Sequence, residues 1–424
     1  MKMMRSIKAV FVQMAYMLYD MLFMWMYRTG AIMCANVIPA TLVNDMHMAL
    51  YEVGRNVSGA IPSVTVNRPG GAVRAAQNTV IESLITTAGT PIAITPTMAD
   101  PTAAYQTLTA DSFQLNKSYA YPISWTGEDV AYLDTGIGYQ SAMGQSFQHA
   151  FESLTNLIAI DLVNEITANA SRAVGVSGTA PFSTNTDLIV DARTAFVENK
   201  FESNVTDGRA SIVLNTLAGG NLRKQAQLQN QYSAGTTDLL RQGNLGNLFG
   251  FMLREEANIP SHTKGTGASA TTNAAGYAVG ATAITLAAIG TGTIVAGDVV
   301  TFAGDTNQYV VKTGDTNVAD AGTIVLHEPG LKVAITTAAT AITVTNSFTA
   351  NFAIHQSAAE VAVRAPLMPA NGDKATMSQL VTDPHSGLTF DVRYYPGVGM
   401  GTWYVWAVWG VKCWDPRKVV LIKG

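Results

Sequence analysis

The sequence predicts an α+β chain with a small antiparallel β-barrel domain inserted into it. Three observations predict this. Apolar residues recur every three or four positions from Gly138 to Ala170, which is the pattern of one long helix. A long stretch of β-type residues comes before that helix and has no core of its own. Between His262 and Ala350 helix signals vanish and short β runs alternate with turn residues, after which α/β character resumes at Phe352.

Taken in order, residues 1–33 hold nine of the 17 methionines. Lys2, Arg5 and Lys8 precede an apolar run from Ala9 to Tyr27 that is broken only by Gln13 and Asp20. One reading is a signal anchor, since the run is just long enough to span a bilayer as a helix. Asp20 near its centre opposes this by about 3 kcal/mol. The other readings are an apolar arm that docks on a neighbour, or upstream sequence ahead of a true start at Met33. Assembly of a chain expressed from Met33 would remove any essential role for the segment.

Residues 34–60 read as an arm with a weak helix, in which Leu42, Met46, Ala49, Leu50 and Val53 fall at spacings of three and four before Gly54 and Gly59. Residues 61–132 read as a β excursion. Val64-Thr65-Val66 stands before Arg68-Pro69-Gly70-Gly71, while Ser112-Phe113-Gln114-Leu115 and Ile123-Ser124-Trp125 stand at the far end. The two ends are expected to pair as strands, and the Thr-, Ala-, Gly- and Pro-rich middle to form a loose tip.

Region 133–186 is built on the long helix, with Met143, Phe147, Phe151, Leu154, Ile158, Leu162 and Ile166 on one stripe. At 1.5 Å per residue it is a rod of about 45 Å, a spine, which Gly175 and Gly178 are expected to end. Region 187–261 reads as an α/β lobe. Its helix runs from Asp187 to about Glu198, is capped by Asn185 or Thr186, and buries Leu188, Ala192, Ala195 and Phe196. After the Asp207-Gly208 turn, Ser211 to Asn215 reads as a buried strand. Region 262–350 offers the short strands Ile284–Leu286, Val299–Phe302, Tyr309–Val311, Thr323–Leu326 and Ile342–Val344, a small barrel or sandwich. Region 351–382 returns to the lobe. Region 383–424 closes the chain with apolar strands around Thr389–Tyr395, Trp403–Trp409 and Lys418–Ile422.

Composition excludes several function classes. Of 424 residues 48% are hydrophobic and only 13% charged, with 26 Lys+Arg against 30 Asp+Glu and a formal net charge of −4. That is too apolar and too weakly charged for disorder. It also lacks the basic excess of a free-standing nucleic-acid binder. Cys34 and Cys413 make no disulfide framework and no metal-ligand or redox spacing. A surface poor in charge is suited to burial against other chains.

A search for chemistry leaves no catalytic, cofactor-binding or metal-binding residues. His47, His149, His262, His327, His355 and His385 stand apart from one another and read as solvated or hydrogen-bonded side chains. The glycine-rich pieces Gly265-Thr266-Gly267 and Gly397-Val398-Gly399-Met400-Gly401 lack the context of phosphate loops and read as turns. The stretch from Gly175 to Gly178 is not a nucleophile elbow. Glu255-Glu256 reads as a solvated face, because adjacent residues point apart. Asp383-Pro384-His385-Ser386-Gly387 reads as a turn, because a catalytic triad draws on distant residues. The expectation is therefore that the chain is not an enzyme.

The order of these pieces resembles the major capsid proteins of tailed bacteriophages, the HK97 fold, in the podovirus-type coat protein that carries an inserted β domain. The residues behind the resemblance are Val64 to Arg68, Phe113 to Trp125, the helix from Gly138, Ala296-Gly297-Asp298-Val299-Val300-Thr301-Phe302, Asn351-Phe352-Ala353-Ile354-His355 and Trp409-Gly410-Val411-Lys412. The match spans nearly everything from Asn36 to Gly424, and Met1 to Met33 departs from it.

The resemblance implies a structural protein that self-assembles into hexamers and pentamers of an icosahedral head enclosing double-stranded DNA without sequence specificity. It implies an N-arm, an extended loop over the adjacent subunit, a spine-helix peripheral domain and an axial domain. It further implies scaffolding, portal and decoration partners, assembly in the host cytoplasm, residence in the virion, and no cofactor or membrane. Arg68 and Arg74 are candidate inter-subunit contacts. Some members of the fold weld their shells through a Lys in the extended loop, but no Lys occurs between Asn67 and Asn116, so no such cross-link is expected. The rival reading, from a different class, is a membrane-anchored β-rich surface or adhesion protein.

Overall fold

The computed structural model describes residues 40–55, 59–68, 74–86, 108–134, 139–199, 207–229, 243, 245–369, 371–383 and 386–424. The Met-rich segment 1–33 and the middle of the excursion lie outside the described residues. The chain is a mixed α+β structure of two large sheets, one two-stranded hairpin and a long helix.

Helix α1 (Ala40–Arg55) occupies the expected arm. Helix α2 (Gly127–Asp134) is short, and α3 (Tyr139–Ala168) is the 30-residue spine. All seven stripe residues from Met143 to Ile166 are buried. They pack with Met46, Leu50 and Val53 of α1 and with Val392, Trp403, Val405 and Trp409 of the closing strands in one cluster. Each such burial is worth about 2 kcal/mol, so this stripe holds the helix on the sheet. The spine ends at Ala168, within two residues of the expected Ala170. Asn169 Nδ2 donates back to the Glu165 carbonyl at 2.9 Å, and Ser171 N already donates to Val419 O at 3.1 Å. The next strand claims the backbone before Gly175 is reached.

Strands β1 (Val80–Thr86) and β2 (Leu108–Gln114) pair antiparallel, from Val80 opposite Gln114 to Thr86 opposite Leu108, and among the described residues form a sheet of their own. The sequence expectation that the two ends of the excursion pair with each other is corrected here. Thr65–Asn67 instead runs parallel to Glu360–Ala362, and β3 (Lys117–Thr126) pairs antiparallel with residues 400–409. The longer apolar strands of the C-terminal region offer both ends a buried partner that neither could give the other.

Helix α4 (Asp187–Glu198) has the predicted bounds but buries Ile189 in the place expected for Leu188, and Thr186 caps it without a side-chain bond. Strand β4 (Ala210–Leu214) is buried throughout and pairs with β5 (Phe348–His355). Helix α5 (Thr216–Arg223) follows, its first turn capped by Asn215, whose side chain accepts from Ala218 N at 2.8 Å. The chain leaves the larger sheet at a 3-10 turn, Gln356–Ala358, and enters the other as β6 (Ala359–Pro366). Strands β7 (Met377–Thr382), β8 (Thr389–Pro396) and β9 (Met400–Cys413) complete that sheet. Val361 to Val363 therefore belongs with the closing strands and not with the lobe. The last strand, β10 (Val419–Lys423), crosses back to lie between β5 and Arg172–Val174.

Between residues 263 and 345 the observed strands are Ala283–Thr285, Val299–Phe302, Gln308–Thr313, Thr323–Leu326 and Ile342–Val344, within two residues of the predicted ones. They pair in the order 283–285, 323–326, 308–313, 299–302, 342–344. Thr272 bridges to Leu286 and Thr271 to Ala341, which closes the series into a ring. The inside is a separate cluster of buried residues that includes Ile284, Val300, Phe302, Val311, Ile324 and Ile342. The ring joins the larger sheet through two residue pairs, Gln308 with Ala173 and Tyr309 with Arg172. Among the described residues no helix is long and apolar enough to cross a membrane.

Candidate functional site

The most unusual feature is the β1–β2 hairpin and the way it is rooted. An isolated two-stranded hairpin is marginal in water. Val80 is 45% exposed and Leu108 67% exposed, and among the described residues no third strand pairs with either of their strands. Between Ala75 and Asn116 the only formal charges are Glu82, Asp100 and Asp111, so this arm is acidic and otherwise uncharged.

The root is rigid. Phe113 and Leu115 are buried against Ala362 and Val408, and Phe113 meets Trp414 edge-on with ring centres 5.7 Å apart. Asn78 N donates to Leu115 O at 2.9 Å, Leu115 N returns a bond to Thr79 O at 3.0 Å, and Lys412 Nζ lies 3.4 Å from Asp111. A Cβ on Gly410 would stand 2.3 Å from the Gln114 carbonyl, so only glycine lets β9 pass this close to the arm.

Beneath the root lies a buried charge network. Asp391 is fully buried and accepts from Arg74, Arg393 and Ser378, at 2.6, 2.7 and 2.8 Å respectively. The Pro366 carbonyl accepts from both guanidinium groups, Arg74 at 2.9 Å and Arg393 at 3.1 Å. Arg393 reaches Asp373 at 3.0 Å and lies 5.0 Å from the centre of the Trp406 ring. Burial opposes its charge, but Asp391 and Tyr395 together outweigh that and hold its pKa above the ordinary value. The Tyr395 hydroxyl, followed by Arg393, holds the Asp373 carboxyl below the usual carboxylate range. A buried carboxylate flanked by two guanidinium groups fixes geometry, because removing one partner leaves an uncompensated charge.

Arg68 and Arg74 come to the same strand, because Thr65–Asn67 and Arg74–Ala75 pair in parallel with successive parts of β6. Arg74 is spent on Asp391 of its own chain. Arg68 is exposed and lies beside Gly387, where a Cβ would stand 2.8 Å from its Nε. Arg364 donates to the Asn67 carbonyl at 2.8 Å and also to the Asn67 side chain, which in turn meets Glu360.

The Asp391–Arg393 network was not predicted, although two charges at alternate positions of an otherwise apolar strand share one face and mark such a site. Glu256 is a correction. The sequence reads Glu255-Glu256 as a solvated face, yet Glu256 is 2% exposed and accepts from Ala60 N at 3.3 Å and Asn258 N at 2.9 Å. Glu255 is ion-paired with Arg223. The turn between residues 383 and 387 is closed by Asp383, whose carboxylate accepts from Ser386 N at 2.8 Å; Pro384 and His385 lie outside the described residues.

Three of the histidines have hydrogen-bond partners. His262 lies 2.9 Å from Asp298, His355 lies 3.1 Å from Asp207, and His327 Nε2 lies 2.9 Å from the Ala168 carbonyl. Cys413 is buried, which pushes its thiol well above the ordinary value. Among the described residues no group of three or more His, Cys, Asp or Glu could hold a metal ion.

No protein-family model and no curated protein matches the chain. Among solved structures, it is similar to the mature capsid of bacteriophage PhiM1, with a TM-score of 0.45 and 12% identity over 86% of each chain. It is similar to a chain from Mycobacterium phage Che8, with a TM-score of 0.40 and 13% identity over 81% of this chain and 84% of that one. It is similar to the capsid of an empty GTA particle, with a TM-score of 0.42 and 12% identity over 91% of each.

Proposed function

We propose that the chain is a structural shell protein, the major capsid protein of a tailed phage, and that it works by assembly and not by catalysis. The observation that carries this reading is the exposed β1–β2 hairpin on its buried, doubly charged root. A hairpin with Val80 and Leu108 in solvent gains its stability from something outside its own fold. The root supplies a fixed direction, which a mobile loop would lack.

In this reading residues 61–132 form an extended loop that lies over the adjacent copy, and α3 spans the peripheral domain as its spine. Residues 187–261, joined by the strand after 351, form the axial domain that meets its copies at the five- and six-fold axes. The ring of strands within 262–350 is an inserted domain that stabilises the subunit and contacts neighbours outside the capsomer. Arg68 is a donor to a neighbouring copy. The weakly acidic balance of 26 Lys+Arg against 30 Asp+Glu suits an inner wall that encloses double-stranded DNA without gripping its phosphates. Scaffolding, portal and decoration proteins are the partners such a shell uses, with assembly in the host cytoplasm and residence in the virion.

Negative-stain electron microscopy of the expressed chain, alone and with a scaffolding partner, tests the proposal. Closed shells, tubes or rings are expected. Monomers that depend on detergent would overturn it.

A further inference from the structure

The chain contains one asparagine followed by glycine, Asn371-Gly372, in the loop that connects β6 to β7. Both residues are exposed. Gly372 has a φ of +83°, in the left-handed region that glycine takes without strain, and a Cβ there would meet nothing within 4 Å. Gly372 N donates to Pro369 O at 3.0 Å, a single surface bond that closes the turn. The Asn371 side chain makes no hydrogen bond among the described residues. On its far side the loop is tied down, because Asp373 accepts from Arg393 at 3.0 Å and Thr376 N donates to Tyr394 O at 2.9 Å.

A side-chain amide carbon can be attacked by the backbone nitrogen of the next residue, and a Cβ on that residue hinders the approach. Here no Cβ stands in the way and one exposed bond restrains the nitrogen. We propose that Asn371 modifies itself. The deprotonated Gly372 nitrogen bonds to Asn371 Cγ, the bond from Cγ to Nδ2 breaks, and Nδ2 takes up a proton and leaves as ammonia. Water then opens the five-membered imide at either carbonyl, giving aspartate or isoaspartate and a surface more negative by one charge. Isoaspartate adds a carbon to the main chain inside the turn, and the ties at Asp373 and Thr376 confine that change to the exposed part of the loop. Two comparable sites are held in check. Asp207-Gly208 has an equally open glycine, but Arg209 N donates to Asp207 Oδ1 at 2.9 Å and His355 lies 3.1 Å from Oδ2. Asn273 Oδ1 accepts from the Tyr277 hydroxyl at 2.6 Å and from Ala275 N at 3.3 Å, and Ala274 follows with a Cβ. The chemistry needs this chain and water alone, so it stands apart from the shell-protein reading.

Incubation of the folded full chain at pH 8, followed by peptide mass spectrometry and an isoaspartate-specific methylation assay, tests the proposal. Conversion at Asn371 is expected, about fivefold slower than in the same chain unfolded in guanidinium, the effect of the one turn hydrogen bond that must first break. It is expected to slow further at pH 6, since the attacking nitrogen must lose its proton. Asp207 and Asn273 are expected to stay unconverted in the folded chain. Asn371→Gln, at an exposed position outside the sheets, keeps the fold and is expected to abolish the signal, because its ring would need six members. An Asn371 that stays intact in the folded chain, conversion at Asp207 or Asn273 as fast as at Asn371, or isoaspartate that persists at the same loop in Asn371→Gln would each overturn it.

Discussion

Arg74 and Asp391, 317 residues apart in sequence, form a two-pronged ion pair in which Nη1 lies 2.6 Å from Oδ2 and Nη2 lies 3.2 Å from Oδ1. Asp391 is fully buried and Arg393 1% exposed, while Arg74 is partly exposed, so this one buried carboxylate faces two guanidinium groups. The pair connects the start of the hairpin to the middle of the closing sheet.

Asp391→Asn is expected to destabilise the chain by about 3–5 kcal/mol, because it leaves both guanidinium groups without their buried counter-charge. Arg74→Ala is expected to cost less, about 1.5–3 kcal/mol, since Asp391 keeps Arg393 and Ser378. Chemical denaturation of the two variants checks the order. A smaller loss in Asp391→Asn than in Arg74→Ala would contradict the network.

Gly410→Ala is expected to destabilise the root by about 1–3 kcal/mol, the usual range for overpacking. The new Cβ would meet a backbone carbonyl, that of Gln114, which cannot swing aside as the end of a side chain could. Limited proteolysis between residues 75 and 116 should accelerate in step with the loss of stability.

His327 gives the chain an acid-sensitive joint between the ring and the spine. Burial, helped by the charge of Lys312, pushes its pKa from 6.5 down to about 4, against the pull of its bond to the Ala168 carbonyl. Its folded pKa lies below its unfolded one, so the stabilisation is fully present above pH 6.5 and is lost as the pH falls toward 4. Between pH 7 and pH 5 this group is expected to remove about 2 kcal/mol of stability. His327→Gln should flatten that part of the pH profile. An unchanged slope in denaturation midpoints would show that other groups carry it.

The ring, the spine and the lobe helix were legible in the sequence because each is a local pattern. Short β runs between Gly-Asp turns, a stripe from Met143 to Ile166 and apolar spacing after Asp187 need no knowledge of distant partners. What could not be read is pairing at long range. Nothing local to Val64-Thr65-Val66 indicates Glu360–Ala362 as its partner, and nothing near Lys117 indicates β9. The pairing of Arg74 with Asp391 could not be read from either stretch of chain alone, and Glu256 read as solvated because Ala60 was invisible from its own.

The absence of Lys between Asn67 and Asn116 leads to a prediction about covalent chemistry. Assembled particles boiled in denaturing gel buffer are expected to run as monomer. A ladder of multimers would show that the arm is welded by another route.

The central claim is that a second copy covers the β1–β2 hairpin. Hydrogen–deuterium exchange by mass spectrometry, comparing dissociated chain with assembled particles, addresses it without any substitution. Peptides that cover residues 80–86 and 108–114 are expected to slow by at least about tenfold on assembly, while α3, already buried, changes little. Equal exchange of the hairpin in both states would contradict the account.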